Sequence, residues 1–162
     1  MKNILFSLIC LFVISISSFS QVERYQALYL YQFTKNVSWD DVNDLNIVFF
    51  NSDAVYDIMS NTKNLKFHNS PIRLYKTGDP LNLSVEPNII VMGRCSVSKI
   101  ARIAAFYANK PVLIVSTEPR TLQYGAMIEF IDLDNRLKYK ISEQNFKLHN
   151  MRASKKLLQL SL

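Results

Sequence analysis

The chain contains few glycines and few cysteines, and each shortage excludes a class of protein. Glycine occurs only at Gly78, Gly93 and Gly125, so neither a glycine-rich phosphate-binding loop nor a dinucleotide-binding glycine cluster is present. Two cysteines occur, Cys10 and Cys95, and Cys10 lies within an apolar N-terminal run. If that run is removed, no intramolecular disulfide can form and stability must come from packing.

Catalytic and metal-binding motifs are also missing from the sequence. The two histidines, His68 and His149, stand alone without HExxH or Cys-x-x-Cys spacing, so we interpret them as surface residues and expect no metal or cofactor. The serine hydrolase motif GxSxG is absent. A nucleophile formed by Cys95 with a histidine stays open, because such groups assemble in space, but a buried, inert thiol is the commoner outcome. We therefore predict that the protein is not an enzyme.

The first twenty residues predict a signal peptide. Lys2 supplies a positive charge, residues 4–19 are apolar and uncharged, and small residues at Ser18 and Ser20 suit cleavage before Gln21. The apolar run has about 16 residues, fewer than the roughly 20 that span a bilayer, so an uncleaved anchor is the second choice. We expect a periplasmic protein that is secreted across the inner membrane.

Removal of residues 1–20 would leave residues 21–162, enough for one domain with a single core. The formal net charge of the whole chain is +6, and loss of Lys2 lowers it to +5. This moderate basic excess suits an anionic partner or surface and does not indicate nucleic-acid binding.

The hydrophobic pattern predicts alternating helices and strands. Residues 22–37 contain neither glycine nor proline and are apolar on most sides, so they predict a buried helix. Further helices are predicted at residues 53–61 and 97–109, and strands at residues 45–50, 72–76, 88–92 and 112–116. A succession of strand, helix and strand forms a crossover unit with parallel strands. The sequence therefore predicts a single layered α/β domain with a mixed, mostly parallel sheet and helices packed on it.

Alternating residues on both sides of Asp134-Asn135 predict a C-terminal antiparallel hairpin with a two-residue loop. That loop pairs Leu133 with Arg136, Ile131 with Lys138, Phe130 with Tyr139, Glu129 with Lys140 and Ile128 with Ile141. Because side chains alternate along a strand, the residues expected to face the core are Ile128, Phe130, Leu137, Tyr139 and Ile141. Those expected to face outward are Glu129, Arg136, Lys138 and Lys140.

The outward residues suggest a binding surface for an acidic partner or an anionic ligand. Its candidate residues lie on the hairpin and near the last helix: Arg136, Lys138, Lys140, Arg152, Lys155 and Lys156. The more common explanation is that lysine and arginine protect an edge strand from aggregation, with Glu129 and Lys140 forming a cross-strand ion pair. Trp39, the only tryptophan, is a candidate aromatic anchor, although a packing role at a helix end is more usual.

Several segments together resemble the YfiR-like family of exported bacterial proteins. They are the helix from Tyr25 to Val37 ending near Trp39, LNIVF at 45–49, PVLIV at 111–115, GAMIEF at 125–130, NRLKYKI at 135–141 and SKKLLQL at 154–160. The resemblance spans nearly the whole mature chain. Two departures are that Asp40 stands where the family usually has proline after Trp39, and that the single Cys95 removes control by an internal disulfide.

The resemblance implies a small, non-enzymatic periplasmic protein that represses a membrane-anchored diguanylate cyclase by contacting its periplasmic part. The expected partner is thus an integral inner-membrane sensor protein, and release of repression would raise cyclic di-GMP. Alternatives left open are an accessory or ligand-binding subunit of another sensor, such as a histidine kinase, and a carrier of small ligands. Whether the protein forms a homodimer also stays open.

Overall fold

The computed structural model describes residues 19–39 and 42–162. The α-helices are α1 (Phe19–Asn36), α2 (Asp53–Asn61), α3 (Val97–Phe106), α4 (Glu143–Leu148) and α5 (Lys155–Gln159). The strands are β1 (Asn46–Phe50), β2 (Lys66–Phe67), β3 (Ser70–Pro71), β4 (Arg73–Thr77), β5 (Ile89–Met92), β6 (Leu113–Ser116), β7 (Ile128–Leu133) and β8 (Arg136–Ile141). No described helix combines the length and apolar character needed to traverse a membrane. Of the predicted signal peptide, only Phe19 and Ser20 lie among the described residues.

Six strands form one sheet in the order β4-β1-β5-β6-β7-β8. The first five are parallel and β8 pairs antiparallel with β7, which confirms the predicted mixed, mostly parallel α/β architecture with its terminal hairpin. Every residue of β5 and β6 is buried, as expected for central parallel strands covered on both faces. The short β2–β3 hairpin was not predicted.

The direction of strand addition reverses between β1 and β5. From β1 the chain passes through α2 to β4 on one side, and then returns to place β5 on the other side of β1. In open α/β sheets, a crevice forms at such a reversal beyond the carboxyl ends of the strands. This fold therefore places residues Asn51 and Ser52, which follow β1, beside Gly93 and Arg94, which follow β5.

Helix α3 is shorter than predicted, because it ends at Phe106 and not at Asn109. Asn109 has a φ of 64°, in the left-handed region that terminates helices, and its backbone amide donates to the carbonyl oxygen of Leu148. At the other end, the predicted cap is confirmed, since the Ser96 hydroxyl accepts a hydrogen bond from the Lys99 amide.

The prediction that the first helix is buried on most sides is wrong for one face. Leu30 and Phe33 are fully buried against the sheet. By contrast, Val22, Tyr25 and Leu28 are 43%, 56% and 61% exposed. These three residues recur every three positions and therefore form one stripe along the outside of α1. The helix is thus amphipathic in its packing, with an apolar stripe open to solvent.

The alternation of the hairpin predicted that Glu129 faces solvent beside Lys140, and that prediction is wrong. The two residues are paired in register, but Glu129 is only 4% exposed and its carboxylate accepts hydrogen bonds from the backbone amides of Thr121 and Leu122. Strand β7 is an inner strand between β6 and β8. The 3₁₀ turn at Leu122–Tyr124 lies over the face of β7 that carries Glu129. Glu129 therefore holds a loop in place.

His149 was predicted to lie at the surface, and that prediction is wrong. Its side chain is 2% exposed at the end of α4, and its Nδ1 atom has no hydrogen-bond partner among the described residues. Burial lowers the pKa of His149 from its ordinary value of 6.5, while a hydrogen bond with the backbone of Lys110 partly opposes this change. The tertiary packing of α4 against the turn at Lys110 buries the ring. His68 is exposed, as predicted.

We predict that acid destabilises the protein through His149. A folded-state pKa below the unfolded value means that the unfolded chain binds the proton more readily, so stability falls as the pH drops below about 6.5. Urea unfolding between about pH 7.5 and about pH 5 should show a shallower loss of stability for His149→Gln than for the wild type. The exposed control His68→Gln should keep the wild-type slope, and identical slopes for all three proteins would contradict the prediction.

Candidate partner-binding surface

The hairpin that carries the predicted basic residues turns at Asp134 and Asn135. Their φ values are 52° and 57°, which is the pair of left-handed residues that a type I′ turn requires. All pairs predicted across the hairpin are observed, from Leu133 with Arg136 to Ile128 with Ile141. The local turn chemistry therefore determines which side chains of β8 face α1.

A cluster of four aromatic rings fixes α1 against this hairpin. Tyr29 lies 5.9 Å from Phe130 and 5.3 Å from Tyr139, and Phe33 lies 5.8 Å and 5.2 Å from the same two ring centroids. The Tyr139 hydroxyl donates to the carbonyl oxygen of Leu157 at 3.0 Å. Burial raises the pKa of Tyr139 to about 12, so this hydroxyl stays a donor over the physiological pH range. The cluster joins α1, the hairpin and α5.

Above this cluster, a groove of about 750 Å³ lies between the N-terminal half of α1 and the tip of the hairpin. Its lining residues come from these two elements: Gln21, Val22, Tyr25, Tyr29, Asp132, Asn135, Arg136, Leu137 and Lys138. The α1 residues are mainly apolar or aromatic, whereas the hairpin residues include Asp132, Arg136 and Lys138. Arg136 and Lys138 alternate with Tyr139, so their charges lie at the sheet edge of the groove. The Tyr29 hydroxyl donates to the Leu137 carbonyl oxygen at 3.4 Å and joins the two walls. The groove can thus contact apolar and anionic groups together.

The structure divides the six predicted basic residues into two groups. Arg136 and Lys138 belong to the groove, and Lys140 is exposed farther along the same strand. The other three, Arg152, Lys155 and Lys156, are exposed near α5. The Tyr139 side chain points toward α5. Because side chains alternate along a strand, Arg136, Lys138 and Lys140 project from the other side of β8. The hairpin group and the α5 group therefore lie on opposite sides of this edge strand. None of the six forms a salt bridge with another described residue.

Trp39 lies beyond the C-terminal end of α1, away from the groove-lining residues. Its indole nitrogen donates to the Thr34 carbonyl oxygen at 2.8 Å, and its ring meets Phe67 edge-on at a centroid distance of 6.4 Å. The ring is half-buried. Trp39 therefore satisfies a carbonyl group in the last turn of the helix and covers part of the core.

Cys95 is a free, half-buried thiol that follows β5. Burial raises the pKa of this thiol above its ordinary value, although Lys99 opposes the change. The fraction of thiolate at neutral pH is therefore small, which makes Cys95 a poor nucleophile. Its neighbourhood provides no histidine partner, since His149 is at the end of α4 and His68 is in the exposed β2–β3 turn.

Comparison with known protein families gives a match. A family model described as YfiR/HmsC-like matches residues 23–162. The chain belongs to the YfiR/HmsC-like family. No curated protein matched the chain.

The matched residues include almost all of the described fold, so both basic groups and all groove-lining residues except Gln21 and Val22 lie within the YfiR/HmsC-like region. Sequence reasoning placed Arg136 and Lys138 on a binding surface but missed the α1 wall formed by Val22 and Tyr25. Their spacing of three residues was visible in the sequence. It could not be separated from the buried stripes of the same helix, because apolar or aromatic residues also stand on other sides of the helix, at Ala27, Tyr29 and Leu30.

Proposed function

We propose that this protein is exported to the periplasm, where it represses a membrane-anchored signalling enzyme, namely a diguanylate cyclase. In this proposal, cleavage before Gln21 releases the domain of residues 21–162, which has no catalytic activity of its own. The domain contacts the periplasmic part of the cyclase and keeps cyclic di-GMP low. The observation that carries this proposal is the family match over residues 23–162, because YfiR-like proteins are regulators of this kind.

The groove between α1 and the hairpin supports a protein partner. Val22 and Tyr25 are about half exposed beside Arg136 and Lys138, which gives an apolar centre with cations at one wall. Interfaces commonly combine aromatic anchors with arginine in this way. The groove therefore fits a partner segment that carries apolar residues next to acidic residues.

The proposed cleavage site also lies at this groove. Gln21 lines the groove, so cleavage would place the new chain terminus, with its positive charge, at the α1 wall. That charge would add to those of Arg136 and Lys138 and would favour an acidic partner. N-terminal sequencing of the protein isolated from the periplasm should begin at Gln21.

Deletion of the gene tests the proposed function. We expect the concentration of cyclic di-GMP to rise in the deletion strain and to return to its original level when the gene is restored. The tagged protein should also co-purify with an integral inner-membrane cyclase from a detergent extract. Unchanged cyclic di-GMP would reject the cyclase proposal, and co-purification with a histidine kinase whose phosphorylation changes would assign that partner class in its place.

We predict that the double reversal Arg136→Glu with Lys138→Glu weakens partner binding at least tenfold. Both residues line the groove, and neither forms an ion pair with any described residue, so reversal opposes an acidic partner without breaking a salt bridge. Exposed substitutions of this kind usually change stability by within about 0.5 kcal/mol. Binding is measured by titration with the isolated periplasmic part of the partner.

The matched control reverses the same charges at Arg102 and Lys147, which are exposed residues of α3 and α4. It should bind the partner as the wild type does. A further reversal at Lys155 and Lys156 tests the second basic group by itself. If reversing the charges of Arg136 and Lys138 leaves the affinity unchanged, these residues protect the edge strand from aggregation and the partner binds elsewhere.

A further inference from the structure

A second recess lies at the reversal of strand order described above, beneath α1. It has a volume of about 300 Å³ and is bounded by α1, by the start of α2 and by the residues that follow β1 and β6. Its lining residues are Val22, Glu23, Gln26, Asn51, Ser52, Asp53, Ala54, Val55, Thr117 and Glu118. This volume is at the small end of the range for ligand pockets and suits a metabolite of a few heavy atoms.

Two polar side chains of α1 line this recess and form no hydrogen bond with a described residue. Gln26 is only 6% exposed, yet its amide forms no hydrogen bond with any described residue. The Oε2 atom of Glu23 is also buried and has no hydrogen-bond partner in the described part of the chain. Buried polar groups are normally hydrogen-bonded, and leaving the Oε2 atom of Glu23 unpaired is unfavourable. A ligand that donates to Glu23 and pairs with the Gln26 amide would supply the missing hydrogen bonds.

The start of α2 offers free donors to the same recess. Ser52 is the N-cap residue, but its hydroxyl donates to the carbonyl oxygen of Val91 at 3.3 Å and does not cap the helix. The backbone amides of Ala54 and Val55 consequently have no acceptor among the described residues. Free amides at the first turn of a helix bind anionic oxygen atoms, which the helix dipole also favours.

The charges around the recess differ between its two ends. Glu23 and Glu118 place carboxylates on the α1 and β6 side, whereas the α2 side presents the free amides. Glu118 is paired with the exposed Arg94 at 3.7 Å, so Glu23 is the carboxylate without an ion pair among the described residues. Asp53, in the first turn of α2, is already paired with Lys76 at 3.2 Å. One end therefore favours a cation and the other an anion. We propose that the recess binds a small zwitterion, with its primary ammonium group near Glu23 and its anionic oxygens on the amides of Ala54 and Val55.

In this arrangement, Gln26 lies between the two charged groups and can donate to the anion through its amide nitrogen and accept from the ammonium through its oxygen. The two ligand charges would each meet a group that is unsatisfied in the free protein. A free amino acid and a phosphoethanolamine group share this chemistry, so the size and shape of the anion would distinguish between them.

Calorimetric titration of the intact protein purified from the periplasm tests the proposal. The probes are L-alanine and O-phosphoethanolamine, and the single-charge controls are ethanolamine and acetate. We expect saturable binding of at least one zwitterion, at least tenfold weaker binding of both single-charge controls, and shifts of the Ala54 and Val55 amide resonances on saturation. Tighter binding of one zwitterion identifies the anionic group.

Glu23→Gln should weaken binding of the zwitterion at least tenfold and leave the melting temperature close to that of the wild type, because the buried carboxylate oxygen has no hydrogen-bond partner among the described residues. The matched control Glu86→Gln changes an exposed carboxylate that precedes β5, at the opposite edge of the sheet, and should bind as the wild type does. If Glu23→Gln does not fold, Glu118→Gln is used in its place, because this side chain is 39% exposed and loses only a long ion pair, of 3.7 Å, with the exposed Arg94. Absence of binding by both zwitterions, or equal affinity after the Glu23 or Glu118 change, would overturn the proposal.

Discussion

Replacement of Phe130 by alanine is expected to lower the free energy of unfolding by about 3 to 5 kcal/mol. The ring is 1% exposed and lies 5.9 Å from Tyr29 and 5.8 Å from Phe33, between β7 and α1. Its removal leaves a cavity beneath the helix that carries one wall of the groove. The rigid sheet on the other side limits how far the cavity can close. Equilibrium unfolding in urea measures the loss.

The control for Phe130→Ala keeps the aromatic ring and removes only one polar contact of the same cluster. Tyr139→Phe deletes the hydroxyl that donates to Leu157, so we expect a loss of only about 1 kcal/mol. The comparison separates packing from hydrogen bonding at neighbouring positions of the hairpin. A loss below about 1 kcal/mol for Phe130→Ala would contradict the assignment of this ring to the core.

The hairpin could be predicted in full register because its information is local. Asp134 and Asn135 both adopt positive φ, which sets a two-residue loop, and the loop then determines every pair between β7 and β8. The parallel order of the sheet followed from the succession of strand, helix and strand. These features depend on residues that are close in sequence, so the pattern of the chain is enough to predict them.

Features that depend on distant contacts could not be predicted. The alternation along β7 placed Glu129 outward, but its surroundings depend on the turn at Thr121 that folds over the strand. His149 is buried by the packing of α4 near Lys110, which no local motif indicates. The exposed stripe of α1 follows from which side of the helix meets the sheet. The groove and the recess were missed for the same reason, since each combines segments that are far apart in the chain.

Among the three glycines, Gly93 has the closest approach to another backbone segment, and Gly93→Ala is expected to destabilise the protein by at least about 3 kcal/mol. A Cβ atom at this position would lie 1.6 Å from the carbonyl oxygen of Asn51, a backbone atom that cannot turn away as a side chain would. The Gly93 amide also donates to the Phe50 carbonyl oxygen at 2.8 Å, which holds the two chain segments together. Relief of the clash would require β1 and β5 to separate.

The control for this change is Gly78→Ala, because a Cβ atom at Gly78 would meet no atom within 4 Å. Its stability should stay within about 0.5 kcal/mol of the wild type, so the comparison isolates the close approach from the general effect of replacing glycine. Because Asn51 and Ser52 line the recess, Gly93→Ala should also abolish zwitterion binding in any fraction that folds. Equal stability of the two alanine variants would show that the ends of β1 and β5 can move apart freely, and would remove the physical basis for a preformed recess at this edge of the sheet.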